Sequence, residues 1–408
     1  MKRKRSCGRR GPGAILALLL AAAAVSLVGV STVGATAEST KASAALPKNR
    51  AEAKRLARAA AIKDAAKAGG RTQAPKGKVI GYMHLSSQTE ASIRVLNGLK
   101  TIAKLFGYKV NVCDPNFDAR KVAQCATSLV AQNPDIVIVE AADPGASGAG
   151  LQEAFKKKIP WIITGAQQTP SKFVTAQYVP DERAQTRVLD TWFFGQIEKR
   201  VGKGSAAEIG AWQAPPVGIG VRARDTQRKQ DLKRFPSIKE IYTHDIDLPN
   251  AVQDTLETTL QLVEQNPGVD GLWQTCDFCV GPMAQALDTK NLTGTKRPIL
   301  TGIYSTRETR QAIREGRVDG VVQNNFEAMG WVAMDQALEF WARGKKFAPN
   351  KSVFKKGYSM EILQSWIETK ANVGSNTSIV KNNGEDYVTY FTTKWNREFG
   401  TKILAPPS

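Results

Sequence analysis

Residues 78–110 read KVIGYMHLSSQTEASIRVLNGLKTIAKLFGYKV. The run VIGYM has the length and composition of a buried strand. After a short polar loop, Ile93, Leu96, Leu99, Ile102, Ala103 and Phe106 recur at three- and four-residue spacing, which marks one apolar face of a helix. Gly107 stops that helix, and residues 109–113 return to an extended pattern. Further strands are predicted at 136–139, 161–164, 173–178, 207–211, 240–242, 269–275, 299–304 and 320–323, with helical periodicity between most of them. Strand, helix and strand in repetition requires right-handed crossovers and builds parallel sheets covered on both faces. The chain therefore reads as a doubly wound α/β protein.

An internal echo divides it. Gln132-Asn133-Pro134 precedes one strand and then Asp143, while Gln265-Asn266-Pro267 precedes another and then Asp277. Two lobes of similar construction are expected, each with an aspartate just past the carboxyl end of a strand, where open α/β sheets hold ligands. A turn or helix-cap role for either aspartate stands beside that reading.

Composition fits a globular chain of two or three domains: 408 residues, 42% hydrophobic and 23% charged. The net charge of +20 is unevenly placed. Residues 1–37 carry six basic side chains and no acidic one, and residues 38–76 carry ten against three, so only +7 falls on residues 77–408. No Lys/Arg run there would track a phosphate backbone, and nucleic acid is not expected as a partner. In residues 1–37 a basic start, the apolar stretch 14–30 and Ala35-Thr36-Ala37 form a secretory signal pattern with cleavage before Glu38. An uncleaved anchor is the alternative. Residues 38–76 are Ala-, Lys- and Arg-rich, with helical character over 50–68 but few large apolar side chains, and read as a solvated basic leader or spacer.

Beyond Cys7 the cysteines are Cys113, Cys125, Cys276 and Cys279. In an exported chain, sequence proximity pairs Cys113 with Cys125 and Cys276 with Cys279 as disulfides. A redox-active Cys-x-x-Cys or a four-cysteine zinc site are the sharper alternatives.

In the segments 78–110, 133–144 (NPDIVIVEAADP), 159–165 (IPWIITG), 266–277 (NPGVDGLWQTCD) and 299–345, the sequence resembles the ribose-binding type of periplasmic sugar-binding protein, the type I solute receptors of ABC importers. The resemblance implies two lobes joined by a three-crossing hinge near 178–181, 324–326 and 356–360. The amino-terminal lobe would be 77–179 plus 325–358, and the carboxyl-terminal lobe and tail 180–324 plus 359–408. It also implies a small polar, sugar-like ligand between the lobes, hinge closure, delivery to a membrane permease and a periplasmic or cell-envelope location, with the protein monomeric and without cofactor or metal.

Carried onto this sequence, the ligand positions are Thr89, Ala91, Ser92 and Asp143 in the first lobe, and Arg222, Ile246, Cys276, Tyr304 and Asn324 in the second lobe and hinge. Asp277 joins them from the strand-end echo. The paired aromatics that sandwich a sugar are replaced by Ala91 and Ser92, a third by Ile246, an amide by Cys276 and an acid by Tyr304. Trp212, Phe278, Tyr304 and Phe326 are candidate replacement rings, and Trp273 reads as core.

No catalytic constellation stands out. Gly145-Ala146-Ser147-Gly148-Ala149 lacks the last glycine of a nucleophile elbow, and the glycine pairs at 202–204 and 218–220 lack the third glycine of a dinucleotide loop. The two histidines, His84 and His244, fall just beyond strands, as a cleft contact or as structural groups. A receptor signalling to a membrane sensor would have the same sequence features as an importer subunit. A secreted enzyme on the same fold is the remaining alternative.

Overall fold

In a computed structural model of the chain, residues 50–349, 358–359, 365–373 and 386–403 are described. The export signal, the cleavage point and most of the third predicted crossing lie outside these residues. The described residues form one compact unit.

The unit begins with helix α1 (Arg50–Lys67). The first sheet follows, with β1 (Val79–Met83), β2 (Lys109–Cys113), β3 (Ile136–Glu140), β4 (Trp161–Thr164) and β5 (Ala176–Tyr178) all parallel in the order β2-β1-β3-β4-β5. Its crossovers are α2 (Glu90–Phe106), α3 (Ala119–Ala131) and α4 (Pro144–Lys156). Of the periodic face of α2, Leu96, Leu99, Ile102 and Ala103 are buried and Ile93 and Phe106 half-buried. Thr89 caps its start by accepting from the Ser92 N–H, and Gly107, at φ 70°, ends it.

After α5 (Glu182–Val201) the same plan repeats in β6 (Ala207–Gln213), α6 (Ile219–Leu232), β7 (Ile238–Asp245), α7 (Ala251–Gln265), β8 (Gly271–Gln274), α8 (Val280–Thr289), β9 (Ile299–Ile303), α9 (Arg307–Glu315) and β10 (Gly320–Gln323). The second sheet runs β11-β10-β9-β8-β6-β7, and its edge strand β11 (Trp366–Thr369) is antiparallel to β10. The two lobes thus share one winding order.

The sequence echo has a structural counterpart. Asp135 accepts from the Val79 N–H at 2.8 Å, and Asp270 accepts from the Glu208 N–H at 2.9 Å, each tying the amino end of one strand to its neighbour. Asp319 repeats the device on the Leu300 N–H at 2.8 Å.

Helix α10 (Phe326–Arg343) returns to the first lobe and packs on α2, β4 and β5. The chain then enters the second sheet as β11. It goes back a further time, because α11 (Tyr387–Phe399) packs on α1 and α10 rather than on the second lobe. The tail predicted at 359–408 is therefore divided between lobes.

Residues 50–68 differ most from expectation, being packed structure where the sequence reads as a solvated spacer. Ala53, Ala57, Ala61, Ala65 and Ala68 are buried, while Leu56 and Ile62 are 42% and 40% exposed. An alanine stripe lets two helices approach closely, and the apolar area is supplied by Tyr390, Phe391 and Trp395 of α11. Counting large side chains within α1 misses a core contributed by its partner.

Cys113 and Cys125 are joined, with Cα atoms 5.6 Å apart. Cys276 and Cys279, expected as a second staple, are thiols. Cys276 precedes a 3₁₀ turn at the cavity, whereas Cys279 is fully buried with its Sγ 3.9 Å from the Ala251 carbonyl oxygen. The turn thus uses one thiol as a cavity wall and the other as core.

Candidate functional site

The carboxyl ends of both sheets face one another, as the winding order requires. Between them lies a cavity of about 60 Å³, lined from both lobes. Its first-lobe wall is Leu85, Thr89, Ala91, Phe117, Glu140, Ala141, Gly165 and Ala166. Its second-lobe wall includes Val217, Val221, Arg224, Leu248, Thr275, Cys276, Asp277, Phe278 and Tyr304, and Phe326 contributes from the hinge.

The lobes touch around the cavity. The Ala91 N–H donates to Asp277 Oδ2 at 3.4 Å, and the Arg307 N–H donates to Glu90 at 2.7 Å. On the other flank Gln168 donates to the Val217 carbonyl at 3.2 Å, and the Gly220 N–H to the Gln167 carbonyl at 2.9 Å. Phe117 meets Phe278 across the mouth with ring centroids 5.8 Å apart. Gly218 sits at φ 146°, where a Cβ would strike the Gln168 amide.

Three charged groups define the chemistry. Glu140 ends the apolar strand β3, is 3% exposed, and accepts from the Leu85 N–H and the Ser92 hydroxyl. Burial pushes its carboxyl up to about 7, against the Ser92 and Leu85 hydrogen bonds that favour the anion. Gly165, at φ 80°, packs on this carboxyl so closely that a Cβ would overlap it. Asp277 is 5% exposed, and burial raises its pKa against backbone N–H donors.

Arg224 is also buried. Its Nε donates to Glu182 at 2.7 Å, its Nη1 to the Thr275 carbonyl at 2.8 Å, and its guanidinium lies 5.2 Å from the Tyr304 ring centre. Burial opposes its charge, but the adjacent Glu182 carboxylate holds its pKa above the usual value. Tyr304 donates to Gln185 at 2.9 Å and meets Phe326 edge-on at 4.5 Å.

Backbone strain collects here. Phe117, Ala141 and Tyr304 line the cavity with φ of 63°, 53° and 69°, a conformation that non-glycine residues hold only where the surroundings enforce it.

Of the residues singled out in the sequence, Thr89, Ala91, Cys276, Asp277 and Tyr304 line the cavity, with Phe278 and Phe326. Ser92 stands behind it, holding Glu140. Asn324 is buried in the crossing, where its carbonyl accepts from Arg94 at 3.3 Å and its amide donates to Ser365 at 3.2 Å. The structure does not bring Asp143, Arg222 or Ile246 into the lining. Asp143 caps α4 through the Gly145 N–H and accepts from the Thr169 hydroxyl. Arg222 is exposed and donates to the Pro215 carbonyl at 3.0 Å, and Ile246 belongs to the second-lobe core.

Trp212 and Trp273 are fully buried, donating to Thr258 and Asp190. His84 packs edge-on against Tyr82, and His244 bonds Asp254.

Glu140, Arg224 and Phe117 are lining residues that sequence reading missed. A glutamate closing the run IVIV was a visible signal, since a charge at the carboxyl end of a buried strand points at the cleft. Arg224 and Arg222 begin the same helix, and only its rotation decides which faces inward.

A family model described as a periplasmic binding protein domain matches residues 58–346. No curated protein matches the chain's sequence. Among solved structures, a carbohydrate transporter solute-binding protein from Agrobacterium radiobacter, in complex with D-arabinose, is 19% identical with a TM-score of 0.62. That match covers 73% of this chain and 96% of that one. A galactofuranose-binding protein is 15% identical over 76% of this chain and 100% of its own, with a TM-score of 0.64. An ABC transporter solute-binding protein from Agrobacterium vitis with bound allitol is 18% identical, covering 73% and 97%, with a TM-score of 0.59. At such identities the likeness is one of fold. The family match, by contrast, extends over well more than half of the residues and both lobes, and by it the chain belongs to the periplasmic binding protein domain family.

Proposed function

We propose that this chain is an exported solute receptor. It captures a small polar, sugar-like molecule between its lobes and presents the closed form to an ABC permease, acting as a monomer and as a binder rather than an enzyme. The observation that carries this reading is the convergence of Glu140, Asp277 and Arg224, from opposite lobes, on one cavity walled by aromatic rings. A polar ligand enclosed there loses its water, so its groups need fixed partners, and charged side chains make the stronger hydrogen bonds. Partners divided between lobes are satisfied together only when the lobes close, which couples closure to occupancy. The arabinose, galactofuranose and allitol named for the similar folds support the ligand class. Export is supported by the basic and apolar pattern of residues 1–37. No helix among the described residues is long and apolar enough to cross a membrane.

The test is mass spectrometry of small molecules released by denaturing the purified protein, followed by scattering measurements on stripped and reloaded samples. A released polar molecule that compacts the stripped protein is the expected result. Absence of any released molecule, with no thermal shift from pentoses, hexoses or polyols, would sink the reading.

A further inference from the structure

The charges of the cavity do not balance. Glu140 and Asp277 both face it from nearly complete burial, yet among the described residues neither has a cationic side chain within ion-pair distance. Arg224 attracts both from further away, but its close partners are Glu182 and the Thr275 carbonyl. Glu90, at the rim, adds another carboxylate that acts on Asp277. An enclosed carboxylate without a counter-ion costs several kcal/mol, and a folded protein meets that cost by protonation or by binding a cation.

Two independent features point to a ligand there. The Thr275 hydroxyl, 1% exposed and in the cavity wall, has no hydrogen-bond partner. The aromatic rings of Phe117 and Phe278 border the same space, and ring faces attract ammonium groups, as the Arg224 and Arg94 guanidinium groups set against Tyr304 and Phe326 illustrate.

We propose that the ligand is cationic: a protonated amine or quaternary ammonium on a small polar body, such as an amino sugar or amino polyol, held by Glu140 of the first lobe and Asp277 of the second. This rests on the cavity being the ligand site and narrows the sugar-like class to its amine-bearing members. The raised carboxyl of Glu140 agrees with it, since a bound cation would drive off that proton.

Matched probes test it on the purified protein stripped of ligand. Glucose, glucosamine and glucuronate form one set, sorbitol with N-methylglucamine a second, and choline with 3,3-dimethylbutanol a third. In calorimetry, at least one cationic probe should bind about tenfold or more tightly than its neutral match. Asp277→Asn and Glu140→Gln, which keep shape and remove charge, should bring that ratio towards one, while Arg222→Ala, outside the cavity, should leave it unchanged. Neutral probes binding as tightly as cationic ones, glucuronate binding best, or no cationic probe binding at all would overturn the proposal. The receptor reading fails separately: if a neutral molecule co-purifies and Arg224→Ala releases it, the site stands and only the cationic assignment falls.

Discussion

Behind the first lobe, Asp335 accepts from Lys394 and Trp395 at 2.7 Å and from Tyr358 at 2.9 Å, and Lys394 also reaches Glu398. Beside them Asp64 of α1 accepts from the Ser359 N–H and hydroxyl and from Tyr390, all within 2.8 Å. In the cavity, Glu140 and Asp277 are as deeply buried but receive only neutral donors. Asp335 and Asp64 are supplied with cation and donors from their own chain, whereas Glu140 and Asp277 leave a charge for something else to meet. Buried carboxylates saturated from within fasten helices together. Buried carboxylates left short of a partner mark a place where a ligand completes the structure.

The largest effect is expected for Lys394→Met. Removing the shared ammonium strands Asp335 and Glu398 in the α10–α11 interface and should cost about 3–5 kcal/mol, read in denaturant unfolding. An unchanged midpoint would show that these carboxylates are not held by Lys394.

Arg224→Ala, which removes a buried cation from the cavity wall and leaves Glu182 unpaired, should change affinity for the identified ligand about tenfold or more in calorimetry, tighter for a cationic ligand and weaker for a neutral one, whereas Arg222→Ala should stay within about 0.5 kcal/mol. Equal effects would mean that the cavity geometry does not select between these arginines.

The stability of the unliganded protein should depend on pH through Glu140. Burial raises Glu140 from the ordinary 4.5 to about 7, so the folded state retains a proton that the unfolded chain has released. Its contribution is full below about 4.5, declines as pH rises, and is lost above about 7. The total is at most about 3 kcal/mol. Glu140→Gln should flatten that segment of the stability profile, and an unaltered slope between pH 5 and 7 would contradict it. The smallest effect is expected for Asp64→Ala, about 1–3 kcal/mol, from unpaired donors on Ser359 and Tyr390. Truncation of α1 should then cost more than this single substitution, contrary to what a solvated spacer would show.

The alternation of short apolar runs with helical faces, the Gly107 stop and the repeated Asn-Pro-strand unit were readable one residue after another, because strand and helix periodicity are local properties. They determined the α/β class, the two lobes and the strand ends at which Thr89, Asp277 and Tyr304 lie. Tertiary structure alone decided the rest, for reasons that are not local. The rotation of α6 puts Arg224 inward and Arg222 in solvent. The turn after β8 leaves Cys276 at the cavity wall and Cys279 in the core. An alanine stripe in α1 becomes core only because aromatic residues over 300 positions later in sequence come to lie on it. Whether a buried carboxylate is matched or left short depends on which side chains distant segments bring within hydrogen-bonding reach, and no periodicity in the sequence encodes that distance.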